Sequence, residues 1–237
     1  MKMETRWPGC GAVVAGLLFL TACGKESAVG PGNEPPRNLT VEETQVAAAN
    51  TSFGLGLLRE LHGAESDPNL FVSPLSASMA LGMTMNGARG ATLDSMRRTL
   101  GFGNLSGAAI NQAYAGLIGQ LRARDSKVEF RLANSIWHER SFSVEKPFVD
   151  AAREHFDAEV RALDFADPQS PAVISSWAEQ ATGGRIKDLI RSIDPLEKLF
   201  LVNAVYFKAP WTTPFNPDAT RDGPFRRADG STVQVPM

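Results

Sequence analysis

The 237-residue chain holds few of the side-chain patterns that perform covalent chemistry. Ser143-Val-Glu-Lys146 has the S-x-x-K spacing in which a lysine can activate a serine for acyl transfer. That chemistry also needs Ser-Asp-Asn and Lys-Thr-Gly partners and a serine at the start of a helix. Both partner motifs are missing, there is no G-x-S-x-G elbow, and Ser143 falls between a strand and a helix that begins around Pro147. His62, His138 and His155 stand apart, without H-E-x-x-H or paired-cysteine spacing, so neither zinc nor a Cys-His nucleophile is indicated. Arg122, Arg124 and Lys127 follow a helix and read as a solvated turn, so no heparin-type polyanion site is expected. With 24 basic and 26 acidic side chains and no long run of either, there is no electrostatic footprint for nucleic acid. The expectation is a chain with no catalytic residues, no metal and no cofactor. An S-x-x-K serine hydrolase is the remote alternative.

The two cysteines carry the remaining chemistry. Lys2 and Arg6 precede an apolar stretch over residues 11–20, far short of the ~20 apolar residues of a membrane span, so residues 1–22 read as an export signal. The stretch closes in Leu20-Thr21-Ala22-Cys23-Gly24, which resembles a bacterial lipobox. That resemblance implies cleavage before Cys23 and a lipid on its thiol. An ordinary signal cut near Ala22 would instead leave Cys23 a plain thiol. Either way Cys10 departs with the signal, and no internal disulfide can form. Residues 23–39, rich in Gly, Pro and charge, read as a flexible tether, and 40–237 as the folded domain. The protein is expected to be exported, as a cell-envelope lipoprotein or extracellular, and monomeric.

The elements follow from periodicity. Thr40 and Glu43 form a capping box, and Val46, Ala49, Phe53, Leu57 and Leu61 continue at helical spacing to Gly63. Ser73-Pro74 opens a second helix as N-cap then N1 proline; it is apolar nearly all round and ends at Asn86-Gly87. Residues 92–100 give a third helix, and Ile110, Tyr114, Leu117 and Leu121 a fourth. Residues 128–137 alternate at period two, with Phe130, Leu132, Asn134 and Ile136 on one face, predicting a strand buried on one side. Phe148, Ala152 and Phe156 mark a helix, residues 160–163 a short strand, and Ile174, Trp177 and Ala181 a further helix. Residues 199–208 are apolar on both faces except for Asn203, as a central strand covered on both sides should be, and 225–235 form a hairpin.

Asn69-Leu-Phe-Val-Ser-Pro-Leu-Ser76, Gly87-Ala-Arg-Gly90, Asn203-Ala-Val-Tyr-Phe-Lys208 with Trp211, and Val235-Pro-Met237 resemble, in order, the motifs of the serpin family from about Val46 onward. The resemblance implies an α+β fold: N-terminal helices packed on a large, mainly antiparallel sheet, here the N-terminal part, incomplete at the C-terminus. It also implies inhibition of serine proteases, or cysteine proteases, by cleavage of a reactive loop that then inserts into the sheet. The reactive site would lie outside this chain. By similarity Ser73, Ser76 and Asn203 fall in the shutter region where the sheet parts, and Trp211 in the breach where the loop enters. Hydroxyls beneath the strand are the expected partners of the Asn203 amide, which has two donors and two lone pairs. The plain structural alternatives are an N-cap for Ser73, a satisfied core amide for Asn203 and a core aromatic for Trp211. A non-inhibitory or truncated serpin with a binding or structural role is the functional alternative.

Overall fold

Helix α1, Val41–Ala64, begins at the capping box: the Thr40 amide donates to Glu43 Oε2 at 2.8 Å, and the Glu43 amide to Thr40 Oγ1 at 3.1 Å. In the computed structural model, which describes residues 37–64, 70–123 and 127–237, it is followed by α2 (Pro74–Met85), α3 (Gly90–Leu100) and α4 (Gly107–Arg122). The signal segment, Cys23 and the tether up to residue 36 lie outside the described residues. Among the described residues no helix is long and apolar enough to cross a membrane.

Helix α2 starts at Ser73, whose Oγ accepts from the Ser76 amide, and α4 at Ser106, whose Oγ accepts from the Ala109 amide. Each serine satisfies one of the four amides that a helix start leaves free. The apolar spacing of the four helices converges on one core: Val46 and Ala49 of α1, Met79 and Met83 of α2, Leu100 of α3, and Ile110 and Tyr114 of α4 are buried together. Helix α2 is less enclosed than its all-round apolarity predicts, with Leu81 36% exposed, because its packed face is the one carrying Met79 and Met83. Gly82 lets α2 approach α4. A Cβ there would stand 2.8 Å from Cε2 of Tyr114, so Gly82→Ala is expected to destabilise the protein by about 1–3 kcal/mol. An unchanged melting temperature would contradict that packing.

Strand β1 (Glu129–Glu139), helix α5 (Lys146–Phe156) and strand β2 (Ala158–Leu163) form a parallel β-α-β unit, and α6 (Ser170–Ala181) follows. Strand β3 (Leu199–Lys208) pairs antiparallel with β1 from Glu129↔Lys208 to His138↔Leu199. The sheet order is β2-β1-β3, and a separate hairpin joins β4 (Asp222–Arg226) to β5 (Thr232–Pro236).

Two strand expectations change. Strand β1 is buried on both faces in its second half, Ser135 and Trp137 included, because α6 covers the other face with Trp177 edge-on to Trp137 at 6.1 Å. The middle place belongs to β1. Strand β3 is at the edge of the described sheet and mostly half-buried, with Phe207 65% exposed. His138, one of the three separated histidines, lies inside β1 and is half-buried.

Candidate functional site

Pairing of β1 with β3 sets Asn134 directly opposite Asn203. Directly opposed residues of an antiparallel pair hold their Cβ atoms about 4.5–5.5 Å apart, close enough for two amides to meet. Asn203 Nδ2 donates to Asn134 Oδ1 at 2.7 Å, and Asn134 Nδ2 donates to the carbonyl of Phe156 at 2.7 Å. That carbonyl is the last of α5, which ends as Asp157 turns into the left-handed region at φ 50°. The amide pair therefore fastens β3 through β1 to the end of α5. Asn134 is 2% exposed, and Asn203 Oδ1 is buried with no hydrogen-bond partner among the described residues. An orphaned buried acceptor costs roughly 1–3 kcal/mol, which makes this atom the chemically distinctive feature of the sheet.

The hydroxyls expected beneath Asn203 are used elsewhere. Ser73 Oγ and Ser76 Oγ lie 2.8 Å apart, and Ser73 Oγ also caps α2, so both are committed to the helix start. What faces the Asn203 amide from α2 is the thioether of Met79, at 3.9 Å. Ser78, fully buried one residue earlier, donates to the carbonyl of Leu75. The structure thus brings Asn203 together with Asn134 and Met79 and leaves Ser73 and Ser76 as a local pair. Asn134 was visible in the sequence as the single amide on an otherwise apolar face, but which residue it meets depends on strand register.

Trp211 lies beyond β3 with 73% exposure, its ring edge-on to Phe215 at 6.2 Å. Ser143 is exposed in the loop ahead of α5. Lys146, at the start of that helix, pairs with Asp150 at 2.5 Å, so this geometry assembles no serine-lysine dyad. Arg185 lies over the ring of Tyr206 on β3 at 5.4 Å, and Arg161 over Trp137 at 5.3 Å.

The chain matches the family model described as Serpin (serine protease inhibitor) over residues 48–237. It is 37% identical to Serpin B6 of Bos taurus over 198 residues and 36% identical to the leukocyte elastase inhibitor of Bos taurus over 197. Each alignment covers 81% of this chain and 52% of the relative, so the chain spans about half the length of the curated relatives it matches. Human thyroxine-binding globulin superposes with a TM-score of 0.72 at 29% identity, covering 82% of this chain and 54% of that one. The similar proteins thus include one named as an elastase inhibitor and one named for binding thyroxine.

Proposed function

Because this chain belongs to the serpin family, we propose that it supplies the sheet-opening part of a single-use inhibitor of a serine protease, or of a cysteine protease. In such an inhibitor the protease nucleophile attacks a loop carbonyl, forms an acyl bond and releases the new amino end. The cleaved loop then adds to the sheet as a strand, trapping the acyl-enzyme before water hydrolyses it.

The observation that carries this reading is Asn203 Oδ1: a buried acceptor without a donor, on the strand whose outer edge carries no partner among the described residues. A new strand on that edge could bring a donor to it. Insertion would thereby recover the cost of leaving the acceptor unpaired. We assign the parting of the sheet to Asn203 with Asn134 and Met79. Ser73 and Ser76 anchor the start of the helix beneath, and Trp211 stands where the incoming strand first meets the sheet. The lipobox-like segment adds an anchor through a lipid on Cys23, with residues 23–39 as tether. More than one acyl chain would be needed for stable attachment.

The test is to incubate the natural protein carrying this sequence with trypsin-like and subtilisin-like proteases, then analyse the mixture on denaturing gels. An SDS-stable band combining the two proteins is expected. Cleavage of the protein with full recovery of protease activity would overturn inhibition and leave a binding serpin.

A further inference from the structure

Two glycines interrupt helix α4, Gly116 and Gly119, although each costs roughly 1 kcal/mol against alanine in a helix interior. They are not equivalent. A Cβ on Gly119 would meet nothing within 4 Å, whereas one on Gly116 would fall 1.8 Å from Glu43 Oε1 and 3.0 Å from Arg37 Nη2. Gly116 is therefore a seat, shaped by the absence of a side chain, for an ion pair that belongs to the N-terminal segment.

That pair is well made. Arg37 donates through Nη1 to Glu43 Oε2 at 2.7 Å and through Nη2 to Glu43 Oε1 at 2.5 Å, a fork on a carboxylate only 4% exposed. Gln120, one turn beyond Gly116 on α4 and itself buried, donates through Nε2 to the carbonyl of Arg37 at 3.2 Å. The Arg37 bond also holds the Glu43 carboxyl below its ordinary value, so the pair is ionised wherever the domain is folded near neutral pH. Arg37 belongs to the stretch whose composition reads as tether, yet it is fastened to two helices at once.

We propose that residues 37–40 are a strap that clamps the start of α1 onto α4 and fixes the point at which the preceding segment leaves the domain. A pull on that segment is then borne by the Arg37–Glu43 fork on the first turn of α1 and by the Gln120 bond on the last turn of α4, so that it is shared between two helices rather than carried by α1 alone. The strap stands on these contacts alone; only what it holds, a lipid-borne tether, rests on the proposed function.

Thermolysin, which cleaves before leucine, reports on the Asn38–Leu39 bond, since cleavage requires the segment to leave its seat. As a metalloprotease it forms no acyl-enzyme, so the outcome is independent of protease trapping. With cutting sites read by mass spectrometry, Gly116→Ala is expected to speed cleavage at this bond at least ten-fold. Arg37→Ala should do the same, and Gly119→Ala should leave the rate unchanged. Equal rates in the natural protein, Gly116→Ala and Arg37→Ala would overturn the strap, as would a Gly119→Ala effect matching that of Gly116→Ala. Circular dichroism of each variant separates release of the strap from global unfolding, and Arg37→Ala keeps the test decisive if Gly116→Ala does not fold.

Discussion

Tyr114→Ala is expected to lower the unfolding free energy by about 3–5 kcal/mol, read as a shift in urea midpoint at unchanged slope. The ring is fully buried, 5.1 Å from Phe156 and 6.0 Å from Phe102 between centroids, and Gly82 closes on its edge. It ties α2, α4 and α5 into one core. Its hydroxyl shares one proton between the carbonyl of Ser78 at 3.1 Å and Asn50 Oδ1 at 3.2 Å. Burial pushes its pKa up to about 12, whereas the unfolded side chain ionises near 10.0. The folded state thus holds a proton that the unfolded state has released, and stability falls as pH rises from 10 towards 12. The difference converts to about 3 kcal/mol, and Tyr114→Phe should lack that alkaline loss. A loss under about 1 kcal/mol for Tyr114→Ala would refute the central place of this ring in the core.

The second large effect is an asymmetry. Asn134→Ala and Asn203→Ala delete the same atoms from facing positions, but Asn134 is buried and Asn203 half-buried, so packing already weighs towards the larger loss at Asn134. Truncating Asn134 strands two buried groups, the Asn203 amide and the Phe156 carbonyl, at roughly 1–3 kcal/mol each. Truncating Asn203 strands the Asn134 carbonyl but also removes an acceptor that was already unpaired. Asn134→Ala is therefore expected to be the more destabilising by about 2 kcal/mol in denaturant unfolding, with the double variant showing coupling between the two sites. An Asn203→Ala penalty equal to or above that of Asn134→Ala would refute the direction of the hydrogen bonds running from Asn203 through Asn134 to Phe156.

What could be read in the sequence was local. Thr40 with Glu43, Ser73 with Pro74, and the apolar spacing of Val46, Met79 and Tyr114 placed helices α1, α2 and α4, because caps and periodicity act within a few residues. The serpin-like α+β architecture was legible through the motifs carried on those elements. The partners of Asn203 were not legible. They depend on register between strands separated by more than sixty residues in the chain, which no spacing encodes. The covered second face of β1 depended on where α6 lands. Arg37 was hidden by its surroundings: Gly and Pro predict a loose segment, and only the bare backbone of Gly116 shows what the arginine is for.

The lone acceptor of Asn203 also acts as an index mark. Successive side chains of a strand point to opposite faces, so a strand laid along the edge of β3 that carries no partner among the described residues could offer Asn203 a donor only from alternate positions, and only from the one that comes to rest beside it. A slip of one residue would turn that donor to the other face and leave the acceptor empty. If a strand inserts as proposed, this one atom would distinguish the correct alignment from its neighbours.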